Sequence, residues 1–216
     1  MANIGVNELL FLLQGLKWTI ALAAIGFVGG GIFGLGVALM RVSTHAVLWR
    51  GGAAYIAVFQ GTPLLMQLFV VYYGIGLLGV NVDAWIAVAI AFTLHASAFL
   101  GEIWRGGIQS VPKGQTEAGK ALGLHYVSRM KDVILPQALK ISLPATIGFL
   151  VQLVKGTSLA AIVGFVELSR AGQIVSNQTF RPLMVFAIIG AIYFALCWPL
   201  SLWGASMERR LAKAAR

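Results

Sequence analysis

The chain is poor in charge. Only 11% of its 216 residues are Asp, Glu, Lys or Arg, against 59% that are hydrophobic, and mean hydropathy is +0.86. A soluble domain of this length needs far more charge to cover its surface, so the composition indicates an integral membrane protein. Cysteine is almost missing: Cys197 stands alone inside an apolar run, which excludes a disulfide framework and a Cys-based metal site. No metal site is expected at all, because His95 has no paired second ligand and His45 and His125 lie in polar connectors. No Lys or Arg precedes Lys17, and no small-residue cleavage site follows a short apolar core, so no cleaved signal peptide is read. A GxxxxGKS/T phosphate loop is missing too, which excludes ATP binding by that route. The net charge of +9 comes without the interleaved stacking aromatics of a nucleic-acid surface.

Long apolar runs are what the chain has instead. A helix needs about 20 mostly apolar residues to cross a bilayer. Five runs qualify, at 18–40, 54–78, 84–104, 143–165 and 183–205, and Val6–Gly15 reads as a short amphipathic or partly inserted lead-in. Twelve of the sixteen Lys and Arg residues fall on one side of this arrangement: Arg41 and Arg50, the group from Arg105 to Lys140, and the tail from Arg209 to Arg216. Cytosolic connectors carry such an excess, so the N-terminus is expected outside and the C-terminus in the cytosol. The expected fold is therefore all-α and integral to the membrane, one transmembrane domain over residues 1–216, with short cytosolic helices at about 112–140. No internal repeat divides it into inverted halves, which counts against a self-powered secondary transporter. Gly26, Gly30 and Gly34 recur every fourth residue and form a small face for close helix packing.

Polar residues inside apolar spans are costly and mark candidate sites. In the second span, Gln60, Gly61, Thr62, Pro63 and Gln67 cluster near mid-depth. Pro63 removes an N–H and frees carbonyls near Phe59 and Gln60, giving either a substrate site or a kink with Thr62 bonded back to its own backbone. In the third span, His95 lies between Thr93 and Ser97, as a ligand contact or a satisfied structural residue. Lys155 is the most expensive, at roughly 2.5–3.5 kcal/mol for a lysine at a helix centre. It is expected to face a cavity, paired with Glu102 or a substrate carboxylate, with Thr157 and Ser158 presenting donors beside it. Glu102 and Arg105, three apart, suit a gate contact or a structural pair. The 166–181 connector, with Glu167, Arg170, Gln173 and Asn177, reads as external, either contacting a partner or simply solvated.

The remaining polar stretch, Glu117 to Pro136, separates two apolar spans. Thr116 is suited to cap a helix starting at Glu117, and Ala118, Ala121 and Leu122 then share one face. Gly123 permits a change of direction, and a second helix is expected to run to Pro136. Helix physics alone leaves two readings, a lever for a partner or an interfacial helix lying on anionic lipid.

The spacing decides between them. Glu117-Ala118-Gly119, three residues, Gly123, nine residues and Val133-Ile134-Leu135-Pro136 closely resemble the EAA loop of ATP-binding-cassette (ABC) importer permeases. Gly119 stands where that loop has Ala, and Val133 where it has Ile. Phe59 to Leu65, Glu102 to Ile108 and Lys155 to Leu159 resemble signatures of the polar amino-acid permeases among them. The similarity runs from about residue 15 to 207. It implies ATPase coupling through Glu117, Ala118, Gly119, Gly123, Leu135 and Pro136, and a substrate path along Gln60–Pro63, Gln67, His95, Lys155, Thr157 and Ser158. Gln60 departs from the Arg of many relatives, and His95 from their Asn. The resemblance further implies a second permease chain, two ATPase subunits that carry ATP and Mg, an external binding protein, and residence in the bacterial inner membrane. By this reading the chain is not itself an enzyme and holds no cofactor. No base–nucleophile–orienter set supports the rival reading as a membrane enzyme. Two further rivals are a self-powered secondary transporter and a non-transporting scaffold subunit.

Overall fold

The computed structural model describes residues 5–77, 79–80 and 83–214; Leu78, the expected end of the second span, and Arg216 of the basic tail lie outside them. Among the described residues, four helical stretches are long and apolar enough to cross a membrane, and a fifth crossing is available if a sharply bent helix pair counts as one span.

The first helix, α1 (Val6–Arg41), has 36 residues and absorbs the expected lead-in. Nothing from Val6 to Gly15 breaks it, since that segment contains no proline, and the Glu8 carboxyl accepts the Gly5 amide at 2.8 Å at its start. α1 packs along α4 (Ala84–Ser110) through its glycine face. A Cβ on Gly26 would sit 3.0 Å from Phe92 Cβ, and one on Gly34 3.0 Å from the Ser97 carbonyl oxygen; at Gly30 it would collide with Ala96. Around this seam Leu22, Val88, Phe92, Leu100, Phe149 and Leu153 form the main buried core.

The second span, expected over 54–78 with a break or kink at Pro63, starts eight residues earlier and is divided in two. It consists of α2 (Ala46–Gly61) and α3 (Leu64–Leu77), bent by 103° at Thr62–Pro63. Thr62 is extended, with φ −118° and ψ 142°. A residue before proline is driven out of the helical region, and the proline withholds its own N–H, so both defects fall on one peptide and the helix parts rather than kinks.

The polar stretch also differs from its expected form. α5 (Lys113–Ala121) begins after Pro112, so Thr116 lies inside the helix and does not cap it. Its far end closes at Gly123, with φ 71°, where Gly123 N–H donates to the Lys120 carbonyl and Leu124 N–H to the Gly119 carbonyl, both at 2.9 Å. This paired closure needs a left-handed residue, which glycine supplies without steric cost. The chain then enters a single turn, α6 (Tyr126–Ser128), a π-helical segment (Arg129–Ile134) and α7 (Leu135–Gly156) without interruption. Pro136 therefore does not end a separate helix. The wide π turn just before it moves away the carbonyl that the proline ring would strike, and the elbow runs straight into the membrane span.

α7 tightens into a 3-10 segment (Thr157–Val163) that stops at left-handed Gly164, φ 85°. The expected loose connector at 166–181 contains an ordered helix, α8 (Leu168–Thr179), which packs on α1 and α9 (Pro182–Ala214).

Candidate substrate path and coupling elbow

The break between α2 and α3 is held by one side chain. Gln67 is 8% exposed, and its amide nitrogen donates to the Phe59 carbonyl at 2.7 Å, the Thr62 carbonyl at 3.0 Å and Thr62 Oγ1 at 2.9 Å. Thr62 in turn donates its hydroxyl to the Val58 carbonyl at 2.7 Å. Carbonyls freed by Pro63 are thus partly re-satisfied inside the protein, as backbone at membrane depth requires. On the other side of Gln67, Oε1 lies 3.0 Å from His95 Nδ1. His95 also lies against Phe99 and Phe149, with ring centroids 4.5 and 6.3 Å away. One polar chain therefore runs from the broken span to the middle of α4. Gln60, Gly61, Thr62 and Pro63 lie on the surface of the single chain, beside this network.

Lys155 does not join it through Glu102. Among the described residues, the only salt bridge is Glu102–Arg105, at 2.5 Å, with a second bond from Arg105 Nε to Glu102 at 2.8 Å. Arg105 also donates to Gln109. Both carboxyl oxygens of Glu102 are thereby taken by its neighbour on the same helix, and Lys155 lies exposed at the end of α7. Nor do the two hydroxyls beside it stand free as donors. Thr157 is fully buried and donates to the Val154 carbonyl at 2.7 Å, and Ser158 donates to the Lys155 carbonyl at 2.8 Å. These bonds arise because short hydroxyl side chains fold back on the preceding turn of their own helix.

On the elbow, Gly119 is buried while Glu117, Ala121 and Leu122 are turned outward, Leu122 at 78% exposure. Gly119 lies under the aliphatic stem of Arg129; a Cβ there would be 2.9 Å from Arg129 Cδ. Arg129 donates to the Leu124 carbonyl at 3.2 Å and so clasps the turn that follows α5 to the π segment. Gln137 adds a bond to Gln115 at 3.2 Å. Leu135 packs against the core formed by Ala38, Ile108, Val111, Ile134 and Ala138. The result is a braced elbow that turns an apolar ridge outward and is continuous with a transmembrane helix.

The role of one important side chain is not legible in the sequence. Glu167 reads there as one of the external polar residues, but it is fully buried. It caps α8 by accepting Ser169 N–H at 2.9 Å and Arg170 N–H at 2.8 Å, and it accepts the Tyr193 hydroxyl at 3.0 Å. Thr19 of α1 reaches the same carboxyl at 3.4 Å and accepts Leu168 N–H at 3.1 Å. The signal that could have found it is an acidic residue two before Ser169, at a helix start, together with a tyrosine hydroxyl deep in the last apolar span.

A polytopic α-helical membrane domain with a broken second span and an outward-facing elbow before its penultimate long helix defines the architecture of an importer permease. The family described as binding-protein-dependent transport system inner membrane component matches residues 30–213, and the chain belongs to it. It is 32% identical to the probable amino-acid ABC transporter permease YckA of Bacillus subtilis, over 97% of this chain and 93% of the relative. With the arginine transport system permease ArtQ of the same organism it shares 35% identity, covering 95% and 94%. Among solved structures, an amino acid ABC transporter described as having histidines superposes with a TM-score of 0.87 at 35% identity, over 95% of this chain and 96% of that one. An inward-facing methionine transporter, MetNI, shares the fold at a TM-score of 0.81 and 20% identity, over 95% and 98%. The chain is thus a permease of the ABC importer family, whose members form the translocation path and work with ATPase and substrate-binding subunits.

Proposed function

We propose that this chain pairs with a second permease chain in the bacterial cytoplasmic membrane and imports a polar amino acid handed over by an external binding protein. Two ATPase subunits on the cytosolic side hold ATP and Mg and drive the path between outward-open and inward-open states. The chain itself contributes no catalytic group. The N-terminus lies outside and the C-terminus inside, an orientation supported by the basic residues that gather on the elbow side.

The apolar ridge of α5, turned outward on a helix locked to α7, is the observation that carries this reading. Glu117, Ala118 and Leu122 meet the ATPase; Gly119, Gly123, Leu135 and Pro136 shape the elbow that passes its motion to α7. Force applied at α5 reaches α7 through Arg129 and the unbroken helix, so the span moves with the elbow rather than after it. The substrate is taken along the surface bounded by Gln60–Pro63, Lys155 and Ser158, with Gln67, His95 and Thr157 supporting it from behind. On it Lys155 supplies a cation and Glu102 is occupied by Arg105, which favours a substrate that presents its carboxylate to this chain. The second permease chain completes the path, as a copy of this one or as a different chain. Glu102–Arg105 serves as a structural pair at its edge.

Proteoliposomes carrying this permease, its ATPase and its binding protein test the reading. Radiolabelled amino acids should accumulate only with ATP, for the parent and not for Glu117→Lys. Accumulation without an ATPase subunit would bring the secondary-transporter reading forward.

A further inference from the structure

On the elbow side of the chain, beside the ends of two apolar spans, lies a basic cavity of about 410 Å³ that the proposed transport path does not use. It is framed by the ends of α1 and α4 and by the elbow, and its polar lining includes Arg41, Ser43, Gln109, Thr116, Tyr126 and Arg129. Arg41 is the unusual member. Its Nε and Nη1 are shielded from solvent and have no hydrogen-bond partner among the described residues, while Trp49 covers the guanidinium 4.9 Å away. Glu102, whose charge Arg41 feels, has given both oxygens to Arg105. Arg41 as a whole is half-buried, but shielded N–H groups left idle are costly, and an anion that accepts from them removes the cost. No Asp or Glu lines the cavity among the described residues.

A second cavity of about 400 Å³ adjoins the first, sharing Ser43, Tyr126 and Met130 with it. Its lining is apolar, from Leu48, Val127, Met130 and Leu135 to Leu39 and Gly36 on α1. From Ser43 to Gly36 the groove climbs about 10 Å along the helix at 1.5 Å per residue, away from the connector and into the apolar span. Lys131 lies at its rim. A basic chamber with room for a phospholipid headgroup, opening into an apolar groove directed along a membrane helix, fits one ligand chemistry: a phosphodiester with an acyl chain.

We infer that the Arg41–Arg129 cavity and the adjoining groove bind one anionic phospholipid, its phosphate on the two guanidinium groups and an acyl chain along Leu39 and Gly36. Basic pockets between helix ends are suited to such headgroups, and each Arg near the headgroup contributes on the order of a fivefold change in binding. The bound lipid would rest on both α1 and the π segment, and so brace the elbow that joins α7.

Native mass spectrometry of the complete complex, delipidated in detergent and then supplied with phosphatidylglycerol or phosphatidylcholine, tests the proposal. One phosphatidylglycerol should be retained per permease chain, and phosphatidylcholine should not. Arg41→Gln and Arg129→Gln should each lower retention roughly fivefold, with Arg41→Lys keeping most of it. Leu39→Trp, which fills the groove, should lower retention without touching either arginine, and serves if Arg41→Gln fails to assemble. Equal retention of both lipids, or retention indifferent to Arg41→Gln, Arg129→Gln and Leu39→Trp, overturns the proposal. Inorganic phosphate that displaces the lipid, with Leu39→Trp having no effect, would make the chamber a free-anion site and overturn it as well.

Discussion

The carboxyl of Glu167 and the hydroxyl of Tyr193 meet at 3.0 Å, which ties the cap of α8 to the last span. Thr19 adds α1 to the same point. The first helix is thus joined to two consecutive helices near the other end of the chain through one fully buried side chain. Glu167→Ala would orphan two backbone N–H groups, at roughly 1–3 kcal/mol per unsatisfied group, and would take one of two partners from Tyr193 and from Thr19. We expect it to lower the melting temperature in detergent more than Tyr193→Phe, which removes only the hydroxyl's bonds to Glu167 and Ser169 and leaves both backbone N–H groups capped. Equal, small effects would show that the hub carries little of the stability.

The glycine seam should be position-specific. Gly30→Val drives a branched side chain into Ala96 and the backbone beyond it, whereas nothing lies within 4 Å of a Cβ at Gly190. Overpacking costs about 1–3 kcal/mol and more where backbone must move, so Gly30→Val should be strongly destabilised. Gly190→Val should stay within about 0.5 kcal/mol of the parent. Fluorescence-detected size-exclusion chromatography after a heat step distinguishes the two.

At the break in the second span, Gln67→Leu keeps the volume and removes the donor that serves Phe59 and Thr62. Those carbonyls and His95 then lose their partner, at a cost of roughly 2 kcal/mol. Transport should fall together with thermal stability. Lys155→Met should behave differently, because the exposed ammonium stabilises nothing in the single chain. Stability should hold while the substrate concentration needed for half-maximal uptake rises about tenfold, the equivalent of ~1.4 kcal/mol.

Much of this architecture was legible in the sequence, and the gaps have physical causes. Five apolar stretches, the polar elbow and the turn at Gly123 all announce themselves through composition or a single left-handed glycine. Hydropathy could not show that the second span turns by 103°, because the helices on both sides of Thr62–Pro63 together read as one apolar run. Nor did it show that Pro136 is embedded in a continuous helix. Proline ordinarily marks an end, and only the π turn at 129–134 accommodates it. A pairing of Lys155 with Glu102 is the natural expectation for two opposite charges near one path, but the short-range partner Arg105 reaches that carboxylate first. Glu167 shows the opposite error, since a charged residue in a connector reads as solvated until the helices that bury it are in place.

The exposed ridge on α5 carries a quantitative expectation of its own. Burying a leucine at an interface contributes about 1.5–3 kcal/mol, so Leu122→Asp should weaken association with the ATPase by roughly 10–100-fold. Expression and membrane insertion should be unchanged, because Leu122 is 78% exposed within this chain.

The most direct test of the central claim is co-purification. The permease is isolated from its native membrane in mild detergent, and ATPase activity is measured in the parent and in Glu117→Lys at matched permease levels. A subunit that travels with the parent and hydrolyses ATP, lost or uncoupled in Glu117→Lys, is the predicted result. A parent that purifies without any ATPase, under conditions that keep other such complexes intact, would contradict the account.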